Sequence, residues 1–427
     1  MSSAALKSGG SSASSANREY PADWMLFLVT LVLLSFGVVM VFDASYPLAI
    51  EVYQGDKAFF VKKQIVWAVI GLLGLFVAKR VPYWKWQAWA VPSLVATIVL
   101  LIAVHIPHLG HGAQGAQRWI GYGPIRIQPS EFAKLSLILY LAKVLGARPK
   151  LASDLWKGVM PVLGVSLISV ILVDKQPDLG TAITMLLTVL IVLFTAGARA
   201  RWLASIVAIF ALISLVSVLH KGTDNYRWKR LTTFVNPKAD ELGSGYQITH
   251  STIALGTGGL TGLGFGESRE KRLGNLPAQR TDFIFAIVGE EFGLAGTSAV
   301  LVLFLLLAAR GYHIAQRTRD PFGALLAVGV TSMVAVQSLI NVSVVTASVP
   351  ATGVPLPFIS YGGSSLAVTL FSIGILLNVS QHPFRKDTKA ARRAAREQRD
   401  TDDAPPTLPR RTTKTLIDSL EREGVLR

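Results

Sequence analysis

Runs of about 20 apolar residues recur along this chain, separated by shorter polar and basic stretches. A run of that length crosses the hydrocarbon of a bilayer as a helix. The pattern predicts ten spans, at about 24–48, 65–79, 86–106, 130–147, 158–174, 180–197, 202–219, 283–309, 322–347 and 358–380. The second run is short and the fifth and sixth lie close together, so nine and eleven spans are the alternatives. The expected fold is all-α, a polytopic membrane protein. The first 23 residues, rich in Ser and Ala, are too polar for a signal peptide. The run after them lacks a clear cleavage site, so it reads as a retained span behind a disordered tail. Residues 384–427 are charged and polar and predict a second, basic, mostly disordered tail.

Composition agrees with the pattern. The 427 residues are 51% hydrophobic and 16% charged, where a soluble domain carries about a quarter charged residues. There is no Cys, which excludes disulfides and thiolate-bound metals.

Charge then sets the topology. Lys79, Arg80 and Lys85 separate spans two and three, and Arg148, Lys150 and Lys157 separate four and five. Arg199 and Arg201 separate six and seven, and Arg310, Arg317 and Arg319 separate eight and nine. With ten spans, all of these fall on one side, together with the basic stretch 385–399. That positive-inside pattern favours the even count and places both termini in the cytoplasm. Two outer loops result, at about 107–129 and 220–282, the second being the large loop between helices seven and eight. The second loop holds nine Lys or Arg. They cluster as Arg227, Lys229, Arg230 and Arg269, Lys271, Arg272, which suits an outward-facing anion-binding surface.

Ionisable groups in or beside spans are costly and therefore mark candidate chemistry. The eighth span opens with RTDFIFAIVGEEFG, Arg280 to Gly293. On a continuous helix from Asp282, Ala286, Gly289, Gly293 and Gly296 form one small-residue face. Glu290 lies about 12 Å along the axis from Asp282 and Glu291 about 180° round, too far apart to work with Asp282 as a carboxylate pair. Asp282 at the outer boundary is the candidate general base, and the two Glu residues read as helix-to-helix hydrogen bonders. The fourth span starts QPSEFAKL, where Glu131 and Lys134 can pair across one turn; an open Lys134 would meet a phosphate as a point charge. Arg118 and Trp119 precede it on the same side. DKQPDLGTA sets Asp178 at a turn before the sixth span. Gln337 and Asn341 share one face of the ninth and read as glue between helices. The following PATGVPLPFISYGGSS must lie against protein or a wet cavity, and its Gly362, Gly363, Ser364 and Ser365 suit close approach of a ligand. There is no P-loop and no metal-site pattern, so nucleotide hydrolysis is not expected.

Together, RWIGYGPIRIQPSEFAKL, QPDLGTA, GYQITHSTIALGTGGLTGLGFGESREK, LPAQRTDFIFAIVGEEFG and PATGVPLPFISYGGSS resemble, in order and across about 24–383, the SEDS family of peptidoglycan glycosyltransferases, which includes FtsW and RodA. The resemblance implies polymerisation of lipid II, an undecaprenyl-pyrophosphate disaccharide pentapeptide, on the outer face of the bacterial cytoplasmic membrane. It puts the catalytic role on Asp282 in Thr281-Asp282-Phe283, and places Arg118, Trp119, Glu131, Lys134 and Asp178 in the substrate cavity. Arg227, Arg230, Arg280 and Ser364 are further candidate substrate contacts. A class B penicillin-binding transpeptidase and other division proteins are the implied partners, with Mg²⁺ or Mn²⁺ as the only cofactor considered and no nucleic acid. Pro277-Ala278-Gln279-Arg280 departs from the family's usual Pro-Glu-x-His, which leaves Arg280 as a substitute source of positive charge. Tyr226-Arg227-x-x-Arg230 and Gly245-Tyr246-Gln247 are more similar to FtsW than to RodA, whereas Phe42-Asp43-Ala44-Ser45 departs from FtsW's usual Tyr-Ser-Ala-Ser. The division-type polymerase is the expectation. An elongation-type polymerase, a lipid II flippase and a non-catalytic division scaffold are the alternatives.

Overall fold

A computed structural model describes residues 19–53, 56–106, 110–113, 116–122, 125–220, 226–236 and 243–383. The predicted basic tail lies outside them, as does most of the N-terminal one. The chain forms a helical bundle. Its members are α1 (Trp24–Val52), α2 (Phe59–Arg80), α3 (Trp86–Ala103), α4 (Pro129–Ala147), α5 (Met160–Asp174), α6 (Leu179–Thr195) and α7 (Ala200–His220), followed by α8 (Tyr226–Val235), α9 (Ser244–Gly258) and α10 (Arg269–Arg272) in the long outer loop, then α11 (Ile284–Arg317), α12 (Pro321–Val345) and α13 (Gly363–Gln381). Each of the ten predicted spans falls on one of α1–α7 or α11–α13. Among the described residues, seven helices are long and apolar enough to cross a membrane by length and composition. α6 is shorter, and α4 carries Glu131, Lys134 and Lys143.

Three expectations change. The second span begins earlier than residue 65, because Lys62 and Lys63 are accommodated on α2. Lys62 pairs with Asp56 at 3.0 Å and Lys63 lies over the Phe59 ring. The first outer loop adds strands to the all-α expectation: β1 (Gly110–Ala113), β2 (Ala116–Tyr122) and β3 (Ile125–Ile127) form a small antiparallel sheet in the order β1-β2-β3.

The third change is in α11, which is broken at Gly293 (φ 64°, ψ −159°) instead of running on as one helix. That break frees backbone groups, and the glycine-rich segment after α9 takes them. Leu263 N–H and Gly264 N–H donate to the carbonyls of Glu290 and Glu291 at 3.0 Å. Leu294 N–H and Ala295 N–H donate back to Gly259 and Leu260. A β-carbon on Gly262 or Gly293 would collide with the opposing backbone, so the exchange requires glycine on both sides.

Polar contacts sort the connections to two ends of the bundle. At one end, Asp23 before α1 binds Arg310 near the end of α11 (2.5 Å) and Ser380 near the end of α13 (3.0 Å). Asn378 there accepts from Tyr83 N–H and donates to the Lys79 carbonyl, between α2 and α3. Both ends of the bundle sequence and two basic connections thus lie together. The starts of α6, α11 and α13 lie at the other end, where Arg118 and Gln128 also reach.

Candidate active site

The site is built around an irregular segment, residues 350–362, between α12 and α13. Its carbonyls cannot bond within a helix, so neutral side chains take them. Asn341 Nδ2 donates to Val354 O at 2.8 Å, Gln337 Nε2 to Pro355 O at 3.0 Å, and Gln64 Nε2 to Ser360 O at 3.3 Å. The same groups hold the turn before α11. Asn341 donates to the Asp282 carbonyl at 2.7 Å, Ser360 Oγ to the Thr281 carbonyl at 2.6 Å, and Tyr361 N–H to the Arg280 carbonyl at 2.8 Å. Gln337 and Asn341 are therefore more than glue between helices: they seat both segments that meet at Asp282.

Beside Gly353, Asp282 and Arg118 converge. A β-carbon on Gly353 would lie 3.6 Å from Asp282 Oδ2 and 4.0 Å from Arg118 Nη1. Arg118, on β2, donates to the carbonyls of Gln176 (3.3 Å) and Pro177, and sits 3.9 Å from Asp178 Oδ1. Asp178 is buried and caps α6 through Thr181 N–H (3.3 Å). Its other oxygen accepts from Gln128 Nε2 at 3.2 Å, and Gln128 N–H donates to Ser364 Oγ at the start of α13. Arg230 enters from α8 and donates to Ala351 O at 2.5 Å.

These neighbours set the acidity of Asp282. The half-buried carboxyl is pushed up from 3.8 to about 6, chiefly by burial and further by the Asp178 charge, against the pull of Arg118 and Arg230. Burial likewise raises Asp178, against the pull of Arg118 and the Thr181 hydrogen bonds. At neutral pH, Asp282 is then an ionised but basic carboxylate, suited to accept a proton. Arg118 and Arg230 supply positive charge for an anion beside it.

Thus Asp282, Asp178, Arg118, Arg230 and, through Gln128, Ser364 are brought together. Others are placed differently. Lys134 is buried rather than open: it pairs with Glu131 at 2.9 Å and donates to Gln337 Oε1 at 2.7 Å, which ties it to the amide that seats Pro355. Trp119 follows Arg118 on β2, so its side chain points to the opposite face of the strand. The Arg280 guanidinium lies 4.4 Å from the centre of the Phe60 ring, with Tyr361 and Tyr53 in its field. Burial lowers its basicity. The Arg227 side chain lies outside the described residues. Glu290 and Glu291 bind the segment around α10. Gln128, Gln176 and Gly353 carried no sequence signal beyond their place in polar or irregular stretches.

A family model described as Cell cycle protein (FTSW_RODA_SPOVE) matches residues 23–384. Stage V sporulation protein E of Bacillus subtilis is 42% identical over 360 residues, 84% of this chain and 97% of that protein. A probable peptidoglycan glycosyltransferase FtsW of Trichlorobacter lovleyi is 40% identical over 358 residues, 84% of this chain and 93% of its own. Among solved structures, a chain from work on how a peptidoglycan synthase complex coordinates polymerization and crosslinking superposes with a TM-score of 0.70 at 30% identity, covering 86% of this chain and 99% of that one. The rod shape determining protein RodA of Thermus thermophilus superposes at 0.63 and 30% identity, covering 86% and 98%.

Proposed function

Because the chain belongs to the FtsW/RodA/SpoVE family of cell cycle proteins, we propose that Asp282 is the general base with which it joins sugars into glycan strands. The chain is a multi-pass membrane protein and an FtsW-type peptidoglycan glycosyltransferase. The finer reading is an inverting transfer on lipid II. Asp282 takes the proton of the acceptor's 4-hydroxyl as that oxygen attacks the anomeric carbon of the donor. The bond from that carbon to pyrophosphate breaks, and the electron pair leaves with the pyrophosphate. An α-linked donor thereby gives a β-1,4 link. Arg118 and Arg230 are placed to meet the charge that develops on the leaving group. Lys134 is assigned to holding the 350–362 segment through Gln337.

The observation that carries this reading is the half-buried Asp282 carboxyl lying beside one guanidinium and in the field of a second. The distribution of Lys and Arg supports an outward orientation of that end, both termini inside and ten crossings. Among the described residues, no three His, Asp or Glu side chains gather as a metal site. Asp178 spends both oxygens on Thr181 N–H and Gln128, so Asp282 together with substrate phosphates would hold a Mg²⁺ or Mn²⁺ there, which would add charge neutralisation at the leaving group. A class B penicillin-binding transpeptidase partner and a place at the division septum complete the proposal.

The test is polymerisation of purified lipid II by the wild type and Asp282→Asn, with and without the partner and divalent metal. Glycan chains from the wild type and a loss of at least about 100-fold in the variant are expected. Normal chains from Asp282→Asn would sink the assignment. Lipid translocation in liposomes with no polymer would point to a flippase, and a variant without effect in an intact division assembly would point to a scaffold.

A further inference from the structure

A second group of buried charges lies outside the site. Lys271 Nζ on α10 is 2.7 and 2.6 Å from the two oxygens of Asp43 on α1, and 2.5 Å from Glu291 Oε1 on α11. Glu291 Oε1 also accepts from Ser268 N–H at 3.2 Å. Glu290 accepts from Ser268 Oγ at 2.5 Å and from Arg269 N–H at 2.8 Å. All four charged side chains are buried. Two carboxylates on one ammonium, with a third carboxylate on the adjoining backbone, are a poor way to gain stability, because a buried ion pair is often no better than well-packed apolar residues of the same volume. The arrangement fits a device that specifies position.

What it positions follows from the chain. Lys271 and Glu291 are 20 residues apart, and Asp282 lies near the middle of the loop their contact closes. The backbone exchange between 259–264 and 290–295 closes a wider loop around the same stretch. Asp43 fastens both to α1, a third element. We infer that Lys271, clamped by Asp43 and Glu291, is a positioning residue that fixes the two ends of the loop carrying Asp282, so that the reaction depends on a latch remote from the reacting atoms. The inference rests on the role proposed for Asp282.

The experiment uses the full chain in detergent with Lys271→Met, which removes the ammonium, and Asp43→Asn, which keeps an oxygen acceptor for it. Lys271→Met is expected to lower kcat about 10–100-fold through misplacement of the base, with KM within about twofold because no substrate contact is lost. Asp43→Asn should retain most of the rate. Amide exchange at 274–283, read without any catalysis, should quicken in Lys271→Met and not in Asp43→Asn. This readout separates the latch from the assignment of Asp282: if Asp282→Asn polymerises normally, exchange still decides whether the latch orders the loop. Wild-type kcat, a loss carried wholly by KM, or unchanged exchange at 274–283 in Lys271→Met each overturns the inference.

Discussion

The acidity of Asp282 makes the sharpest prediction. If its carboxylate accepts the acceptor's proton, kcat/KM falls on the acid side with the protonation of the free enzyme, near pH 6. One unit below that midpoint the rate is about a tenth of its plateau. The perturbation is Arg118→Gln. Asp282 Oδ2 and Arg118 Nη1 both lie within 4.0 Å of one point beside Gly353, which puts them at most about 8 Å apart. At an effective dielectric constant of ~20 the attraction is then about 2 kcal/mol or more, equivalent to about 1.5 pH units. Arg118 favours the ionised form, so its loss raises the midpoint, to about 7 or above. Asp178→Asn acts the other way, since the Asp178 charge disfavours ionisation of Asp282. That shift is downward and smaller, because Asp178 is itself raised by burial and partly neutralised by Arg118. The assay is the initial rate of lipid II polymerisation across the acid and neutral range at low substrate. The plateau of Arg118→Gln will also drop if the guanidinium meets pyrophosphate, so the position of the limb is what counts. A limb that stays put or moves down in Arg118→Gln refutes the reasoning, and so does a wild-type profile flat through pH 6.

Stability should run against activity at the same residue. A carboxyl whose folded acidity lies at about 6 instead of 3.8 costs the folded state stability as pH rises through that window, and the cost is complete above it. Asp282→Asn removes it, so the variant should be the more stable by up to about 3 kcal/mol at about pH 7.5 and by about half that at about pH 5; thermal unfolding at the two pH values reads the difference, and a variant less stable at both would contradict it. Gly293→Ala should cost about 1–3 kcal/mol, because no side chain tolerates that backbone conformation and a β-carbon there meets Gly262 and Leu260. Gly164→Ala on α5, where the added carbon meets nothing, is the matched control and should be neutral or slightly stabilising.

Which residues matter was legible in the sequence to a different degree from what they touch. Seven of the spans were legible because length and apolarity suffice to identify them among the described residues. The break at Gly293 was not, because periodicity describes one helix and the groups that satisfy the break come from Gly259 to Gly264. The small sheet was hidden in a stretch whose strands are three to seven residues long and rich in Gly. Lys134 shows the limit most clearly. Its charge stood out, but whether it was open to a phosphate depended on Gln337, 203 positions away. Asp282 likewise announced itself as an acid at a boundary, whereas its weakened acidity comes from burial, modulated by charges on β2, the α5–α6 turn and α8.

The division of labour around Asp282 follows from what the proposed base requires. Its backbone must be held still, yet its carboxylate must keep lone pairs for substrate and an acidity matched to the reaction. The structure meets both demands with different groups. Neutral donors anchor the backbone: Asn341 holds the Asp282 carbonyl, Ser360 holds Thr281, and the Tyr361 amide holds Arg280. Had Lys134 taken Gln337's place against Pro355, its charge would have stood beside the turn and favoured the ionised acid, weakening the base. Lys134 is instead neutralised by Glu131 and reaches the segment through an amide. The electrostatics are left to Arg118, Arg230 and Asp178, whose charges act on the carboxyl. Arg118→Gln should therefore move the pH profile, whereas Asn341→Ala, which frees the Asp282 carbonyl, should lower kcat and leave the midpoint near that of the wild type.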